Sequence, residues 1–326
     1  MASRTGSRFG RRIVWLAVAV VVVCAAYTAG WFYAARALEA RAATTLASLN
    51  GDGVRAFCEE PEARGFPFRI GIHCKSVFYE NVGDGISVRA GPLHSTANVY
   101  QPFRLLGEVE GPAEIILPFT VPLEARWESL RASTRLSRPL PETFSVEGES
   151  VEISSEEGDR TPLLTMEDVQ VHARQKEADL EAALSFRNLV AGGEIAPGLP
   201  PLEGRALMLM TDGASFVRSG SHSLRGRSGT IEEMVVGVPG EKAGLSLSGP
   251  VSVDDDGRID ADLSLRIDDP AAVAEIMAKV FPEEGDQIRA ATGMLSGLGN
   301  APLQIRIAQG KVFLGFIPLG EIPPVD

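Results

Sequence analysis

The chain has 326 residues, of which 44% are hydrophobic and 23% charged, and this balance excludes an intrinsically disordered protein. The first 49 residues hold six Lys and Arg and one acidic residue, so the rest of the chain holds 25 basic and 42 acidic residues, a net charge of −17. A surface that acidic argues against nucleic acid as a partner, because nucleic-acid binding requires a basic surface, and against electrostatic adhesion to anionic lipid.

The N-terminal residues predict a membrane anchor. Residues 13–35 carry no charged side chain, and as a helix these 23 residues span about 35 Å, enough for a hydrocarbon core of ~30 Å. The sequence therefore predicts a single-pass protein of the bacterial inner membrane, with residues 1–12 in the cytoplasm and most of the chain in the periplasm. The orientation follows from four arginines ahead of the span, which outnumber the basic residues just beyond it: Arg4, Arg8, Arg11 and Arg12.

Two other processing routes compete with a retained anchor. Thr28-Ala29-Gly30 resembles a signal-peptidase site, although the apolar stretch exceeds the roughly 7 to 15 residues of a signal-peptide core. A lipoprotein would be modified at Cys24, but Val23 and the two valines before it lack the small residue that such a site requires. The retained anchor is the preferred interpretation.

Strong helix formers continue beyond the apolar stretch, so residues 36–50 are expected to form a helical stalk. Cys24 lies within the predicted span, which leaves Cys58 and Cys74 as the exported pair. In an oxidising compartment this pair is expected to form a disulfide that stabilises the domain by about 3 kcal/mol. The alternative is two separate buried thiols.

The rest of the chain predicts a mainly β fold of the β-rich α+β class. Aromatic residues make up only 6%, while 34 Gly and 21 Pro are typical of many short strands joined by turns. Apolar and polar residues alternate in residues 68–74, and further short segments follow without helices between them, so we expect curved antiparallel sheets. These segments are residues 86–90, 113–117, 123–127, 144–153, 163–172 and 180–186.

A stretch rich in Pro and Gly, residues 192–204, predicts a boundary between two consecutive β-rich halves. The first half is residues 51–196 and the second is residues 197–326. The second half is expected to begin with apolar residues 206–210 and to continue into a loop rich in Gly, Ser and Arg at residues 213–229.

The C-terminal part carries clearer local signals. Asp254-Asp255-Asp256-Gly257 predicts a hairpin turn between two strands at residues 245–253 and 258–267. Asp269 as N-cap, followed by Pro270, predicts a helix. The last predicted elements are a second helix at residues 287–298 and a final hairpin that pairs residues 303–307 with residues 311–317.

Three short motifs carry a family resemblance. They are Gly65-Phe66-Pro67-Phe68-Arg69 followed by Cys74, Pro122-Leu123-Glu124-Ala125-Arg126-Trp127, and Gly310-Lys311-Val312-Phe313-Leu314-Gly315 with Pro318-Leu319-Gly320. Together they resemble the alphaproteobacterial family known as domain of unknown function twenty-one twenty-five, over nearly the whole chain with the anchor included. The resemblance implies an uncharacterised single-pass envelope protein, loosely similar to AsmA-like and bridge-like lipid-transfer proteins. It implies no catalytic residues.

A direct search for chemistry predicts no catalytic, metal or cofactor residue, and hence no enzyme. The four histidines are His73, His94, His172 and His222, and none has a second His or a carboxylate at ligand spacing. We expect His73 and His172 to lie on solvated strand faces. Residues 252–257 resemble part of a calcium loop, but Leu263 stands where a bidentate Glu is needed, so a turn is preferred.

One local cluster and two aromatic motifs remain. Arg218 and the Arg-containing residues 220–227 form a basic cluster that suits a lipid headgroup or an acidic partner, although a solvated loop is the preferred interpretation. Phe66 and Phe68 flank Pro67, which presets an extended backbone, so this segment is expected to fix where the first strand leaves the stalk. Trp127 is expected to be a core or sheet-face residue in a strand.

Three functions follow, in order of preference. The first is an anchored protein in which a curved sheet binds or guides a lipid or another apolar ligand in envelope maintenance, because few helices are available to cover the apolar face. The second is a structural or assembly protein that binds another envelope protein through a sheet edge. The third, an enzyme, is disfavoured because no cluster of titratable residues can be read from the sequence.

Overall fold

The computed structural model describes residues 6–51, 53–118, 120–137, 140–156, 161–193, 195–219, 223–296 and 302–325. Over these residues the fold is mainly β, as predicted, with one large antiparallel sheet. Four helices accompany it: α1 (Gly6–Leu49), α2 (Gly213–Ser219), α3 (Pro270–Val280) and α4 (Gly285–Ser296).

The strands fall into two groups by position in the chain. The first group is β1 (Val54–Cys58), β2 (Glu62–Arg64), β3 (Arg69–Cys74), β4 (Val77–Asn81), β5 (Ile86–Ala90), β6 (Leu93–Asn98), β7 (Gln101–Val109), β8 (Ala113–Ile116), β9 (Leu123–Arg126) and β10 (Ser129–Arg135). The second group is β11 (Thr143–Ser155), β12 (Pro162–Lys176), β13 (Asp179–Ala191), β14 (Leu202–Met210), β15 (Ser228–Gly237), β16 (Gly244–Val253), β17 (Ile259–Asp268), β18 (Leu303–Ala308), β19 (Lys311–Leu314) and β20 (Ile317–Glu321).

From β11 onward the sheet is a simple meander. Each strand from β11 to β19 pairs antiparallel with the next strand in the chain. The pairing continues from β13 to β14, across the Pro- and Gly-rich segment where the sequence predicts a boundary at residue 197. The strands on the two sides of that segment are therefore hydrogen-bonded neighbours, and the division into two domains stays a prediction.

Before β11 the sheet divides into two arms. One edge of β11 pairs with β12, while the other edge is shared: β10 pairs with residues 143–149 and β9 pairs with residues 152–155. From β9 one arm continues through β8, β5, β4 and β1. From β10 the other arm continues through β7, β6, β3 and β2.

A disulfide joins the two arms at their far ends. Cys58 closes β1 in one arm and Cys74 closes β3 in the other, and the predicted pairing of these cysteines is confirmed. The most buried residues of the arms are small, so the backbone of neighbouring segments can approach closely. They include Ala90, Ala97, Ala113, Ala125 and Ser129.

Helix α1 is continuous from Gly6 to Leu49 and is docked on the domain along one face. Residues four apart lie on one face of a helix, and here Tyr27, Trp31, the buried Ala35 and Glu39 follow that spacing. The Tyr27 hydroxyl donates to the Pro67 carbonyl, Trp31 Nε1 donates to the Arg69 carbonyl at 2.9 Å, and Glu39 Oε1 accepts from the Ala63 amide at 2.8 Å. Of the stalk predicted at residues 36–50, residues 36–49 are thus helical, and the domain packs against them.

The local signals of the C-terminal part are confirmed. Asp254 Oδ1 accepts from the amides of Asp256 and Arg258, which closes the turn between β16 and β17. Asp269 caps α3 by accepting from the Ala272 amide at 3.1 Å, with Pro270 at the first helical position. Helix α4 spans Gly285–Ser296, close to the predicted residues 287–298, of which residues 297 and 298 lie outside the described residues.

Three local predictions were wrong in detail. The loop predicted at residues 213–229 contains α2, which begins against Leu180 because Gly213 leaves room for that side chain. The last strand predicted at residues 311–317 ends at Leu314, since the chain turns at Gly315 with φ +60° and Ile317 belongs to β20. Trp127 lies just after β9, where the chain crosses from one arm to the other.

Candidate ligand-binding groove

One face of the meander is apolar from strand to strand. In an antiparallel sheet, directly opposed residues project to the same face. A single row of opposed residues crosses eight strands, from β11 to β18, without a polar side chain. Its members are Val146, Val171, Leu184, Ala206, Met234, Leu247, Leu265 and Leu303.

The flanking rows continue the same surface. On one side lie Phe186, Gly204, Val236, Leu245 and Ile267, and on the other lie Leu180, Met210, Gly229, Val251 and Ala261. Several side chains of this face are open to solvent, with Leu184 at 40% and Met208 at 42% of full exposure. A sheet face of this kind normally packs on another layer.

The opposite face of the same strands is polar. Cross-strand ion pairs join Arg174 to Glu181 at 2.7 Å and Arg205 to Glu233 at 2.8 Å. The hydrogen bond from Arg205 holds the pKa of Glu233 below its ordinary value. The contrast between the two faces shows that the apolar face is not a consequence of composition alone.

A cavity of about 370 Å³ lies on the apolar face beside α2. Its walls are almost entirely apolar, and a cavity of this size is within the range of small-molecule sites. The side chains that form it include Leu180, Met208, Met210, Leu224, Ile231 and Val251. This cavity and the apolar rows around it are named here the groove.

Helices stand at the two ends of the strands that form the groove. At one end, the Ala214 amide of α2 donates to the Ala178 carbonyl in the turn between β12 and β13. At the other end, α3 follows directly from β17 and packs on α4, and Lys279 of α3 lies against Gly198. The helices therefore border the ends of the strands near the groove.

The basic cluster predicted in this region is placed only in part. Arg218 Nε donates to the Ala214 carbonyl within α2, and the Arg227 guanidinium lies 5.3 Å from the centre of the Phe216 ring. Residues 220–222, and with them His222, lie outside the described residues. Arg218 and Arg227 thus make contacts with α2 itself, whereas Arg225 Nε donates to the Val325 carbonyl at 3.4 Å.

The structure brings two of the four histidines together. His73 on β3 and His94 on β6 are opposed in the register, with their Nδ1 atoms 2.8 Å apart, and His94 Nε2 lies 3.0 Å from Glu110 Oε1. Burial, followed by the proximity of His94, lowers the pKa of His73. The spacing of the histidines in the sequence does not predict this pair, because the pair depends on the long-range pairing of β3 with β6.

Other predicted site residues have clear contacts. His172 Nδ1 lies 2.8 Å from Ser145 Oγ on the neighbouring strand. Trp127 Nε1 donates to the Val109 carbonyl at 2.7 Å, and its ring packs on Gly111, so it links the two arms. Phe66 packs edge-on against Trp31 of α1 and stacks with Phe32. Across the part of the chain that is described, no three His, Cys, Asp or Glu side chains are placed to hold a metal ion.

Among the described residues, α1 is the one helix long and apolar enough to cross a membrane, and its most apolar stretch is entirely exposed. Neither the curated proteins nor the solved structures that were searched show a match to the chain. A family model described as an uncharacterized protein conserved in bacteria matches residues 31–323, starting at the tryptophan of α1 that docks on the domain. This match covers most of the sequence, and the chain belongs to that family, DUF2125.

Proposed function

We propose that this chain is a membrane-anchored envelope protein that binds or guides a lipid, or another apolar ligand, in the groove. The observation that carries the proposal is the apolar row that crosses eight strands, together with the cavity beside α2. An acyl chain would cover this face and remove its apolar surface from water, which is favourable by roughly 25 cal/mol per Å².

The proposed location is the bacterial inner membrane, with the N-terminus in the cytoplasm and the domain in the periplasm. Two features support it: the arginines ahead of the apolar stretch, and a disulfide that requires an oxidising compartment to persist. The proposal includes no catalysis, and the absence of enzymatic activity stays a prediction.

Photo-crosslinking in the full chain tests the groove directly. A photoreactive amino acid replaces Leu184 or Met208 on the apolar face, and the bacteria are irradiated before the protein is purified. We expect lipid adducts, identified by mass spectrometry, at both positions. The matched controls are Arg187 and Glu233, which are at least as exposed but lie on the polar face.

The outcome discriminates between functions. Equal lipid labelling on both faces, or none on the apolar face, would contradict the groove proposal. Protein adducts at the groove positions would instead favour the second candidate function.

A second candidate function is assembly with another envelope protein through the end of the sheet. The observation that favours it is β20, an edge strand whose residues are all exposed. Phe316 is fully exposed and Ile317 and Leu319 are more than half exposed beside it. A photoreactive residue at Phe316 would then give a discrete protein adduct, whereas lipid binding in the groove predicts no such adduct.

A further inference from the structure

The docking of α1 brings part of the domain down to the level of the bilayer. Contacts with the domain begin at Tyr27, so the uncharged residues of α1 below them, residues 13–26, span only about 21 Å as a helix. A hydrocarbon core of ~30 Å requires about nine ångströms more. In a chain anchored by α1, the helix around Tyr27 and Trp31 therefore lies in the bilayer, together with whatever packs on it.

The segment packed on this part of α1 is Gly65–Arg69. Phe66 contacts the Trp31 and Phe32 rings, and the Pro67 and Arg69 carbonyls accept from Tyr27 and Trp31. Phe68 points away from these contacts and is 67% exposed. Protein segments that lie in a membrane interface bury Phe side chains at the boundary between headgroups and acyl chains.

The turn between β6 and β7 extends this surface. The Val99 amide donates to the Phe68 carbonyl at 3.0 Å, which holds the turn beside the segment on α1. Tyr100 and Phe103, just beyond it, are 72% and 67% exposed. We name Phe66, Phe68, Val99, Tyr100 and Phe103 the aromatic patch. Aromatic rings of this kind favour the headgroup region of a bilayer.

Three arginines line a cavity next to the aromatic patch. The cavity has a volume of about 590 Å³ and lies on β3, β6, β7 and β10, with Arg69, Arg104 and Arg135 among its walls. Arg104 and Arg135 are opposed in the register. Arg135 pairs with Glu142 at 3.4 Å, whereas Arg69 and Arg104 have no ion-pair partner among the described residues.

These arginines stand out against the charge of the domain. Beyond residue 49 the chain carries a net charge of −17, which opposes adhesion to an anionic surface. Within the described part of the chain, Arg69 and Arg104 have no ion-pair partner, and Arg69 is bonded through its carbonyl to Trp31 of α1. Their positive charge is therefore available locally, although the domain as a whole is acidic. Guanidinium groups bind phosphate oxygens with charge-assisted hydrogen bonds.

We propose that the aromatic patch inserts into the leaflet on the domain side of the membrane, and that the arginine cavity binds the phosphate of an anionic phospholipid there. This inference rests on the membrane-anchor part of the proposed function. It adds a lipid contact on β3, β6, β7 and β10, outside the strands of the groove, where a headgroup rather than an acyl chain is recognised.

Depth-dependent fluorescence quenching tests the insertion. The full chain, with Cys24→Ser as background, carries one environment-sensitive label at Phe68→Cys or Tyr100→Cys, in phosphatidylcholine vesicles with 30% phosphatidylglycerol. The lipids carry a nitroxide near the headgroup. We expect strong quenching at both positions.

Two matched labels make the result decisive. Val82→Cys is a similarly exposed site, at 61%. The Val82 amide donates to the Gly53 carbonyl just beyond the end of α1, and α1 ends 22 residues, or about 33 Å of helix, beyond Tyr27. It should not be quenched. Val21→Cys lies in the apolar part of α1 and should be quenched by a nitroxide placed deep in the acyl chains.

The outcomes distinguish a failure of the aromatic patch to insert from a failure of α1 to act as a membrane anchor. Quenching at Val21→Cys with none at Phe68→Cys and Tyr100→Cys would overturn this inference and leave the anchor intact. No quenching at any position would overturn the anchor itself.

The arginine cavity is tested by lipid retention. The full chain is released from mixed nanodiscs of the same two lipids into a mass spectrometer, and the phosphatidylglycerol that stays bound is counted. Arg69→Gln with Arg104→Gln should lower its retention by roughly fivefold for each arginine removed. The control pair Arg266→Gln with Arg306→Gln removes the same charge from exposed positions on β17 and β18 and should have little effect. Equal losses in both pairs would show that net charge, and not the cavity, holds the lipid.

Discussion

His73 and His94 face each other across β3 and β6 with their Nδ1 atoms 2.8 Å apart. At this distance the two nitrogens share one hydrogen, because one must donate while the other accepts. Protonation of both rings would place two N–H donors against each other and two positive charges side by side. Acidification is therefore expected to destabilise the arm of the sheet that contains this pair.

The first prediction concerns pH. Because burial and His94 lower the pKa of His73 in the folded chain, the unfolded chain binds the proton more tightly. With respect to His73, the folded chain has its full stability above the ordinary pKa of about 6.5. It loses stability as the pH falls through that value toward the folded-state pKa. Urea unfolding at pH 7.5 and 5.5 should show a smaller loss of stability for His73→Asn than for the native chain.

The same experiment on His94→Gln provides a second variant. Since the charge of His94 is one cause of the lowered pKa, this variant should also lose less stability on acidification. A His73→Asn chain with the native pH dependence would contradict the assignment to this pair.

The second prediction concerns the disulfide. Cys58 and Cys74 are 16 residues apart, and removal of the bond by the double substitution to Ala should lower the free energy of unfolding by about 3 kcal/mol. Chemical denaturation of the two chains measures the difference. Cys24→Ser, which alters the free and exposed cysteine of α1, is the control and should leave the midpoint unchanged. If the double variant behaves like this control, the two arms do not need the covalent link.

The third prediction concerns the docking of α1. Trp31 is only 7% exposed and donates to Arg69, so Trp31→Ala should lower the free energy of unfolding by about 3 kcal/mol in a mild detergent. Trp31→Phe keeps most of the ring and loses the hydrogen bond, and should lower it by about 1 kcal/mol. Trp15→Ala removes a 66% exposed tryptophan from the same helix and should have no effect on the domain. Equal stability of the Trp31→Ala and Trp15→Ala chains would show that the helix is only a tether.

The fourth prediction concerns the cap of α3. Asp269→Ala removes the acceptor for the Ala272 amide and should lower the free energy of unfolding by about 1 kcal/mol. Asp269 has φ +49°, which Gly adopts without strain, so Asp269→Gly should be less harmful than Asp269→Ala. Thermal unfolding monitored by circular dichroism compares the two. A larger loss of stability for the Gly variant would indicate that backbone strain at position 269 does not determine the effect of the substitution.

Local features of this chain could be predicted from its sequence because neighbouring residues determine them. The turn at Asp254–Gly257 and the start of α3 at Asp269–Pro270 depend on side chains that bond to their own backbone. The long helix at the N-terminus likewise follows from an unbroken apolar stretch. The pairing of Cys58 with Cys74 was predictable because only two cysteines lie beyond the apolar stretch.

The division of the sheet at β11 could not be predicted, because no local pattern tells a strand that its edge will be shared by β9 and β10. The His73–His94 pair and the arginine cavity depend on the same long-range register. The groove could be predicted only in part. Alternation predicts an apolar face on each strand, but only the pairing shows that the faces align over eight strands.

The contacts of Tyr27, Trp31 and Glu39 with the domain also set how the molecule can turn. A chain on a loose linker would sample every azimuth about the membrane normal independently of its helix. Here three hydrogen bonds tie α1 to the domain, so the direction in which the groove opens follows the orientation of α1. In the anchored chain proposed above, a neighbouring protein that binds one face of α1 would thereby also determine the direction in which the groove opens.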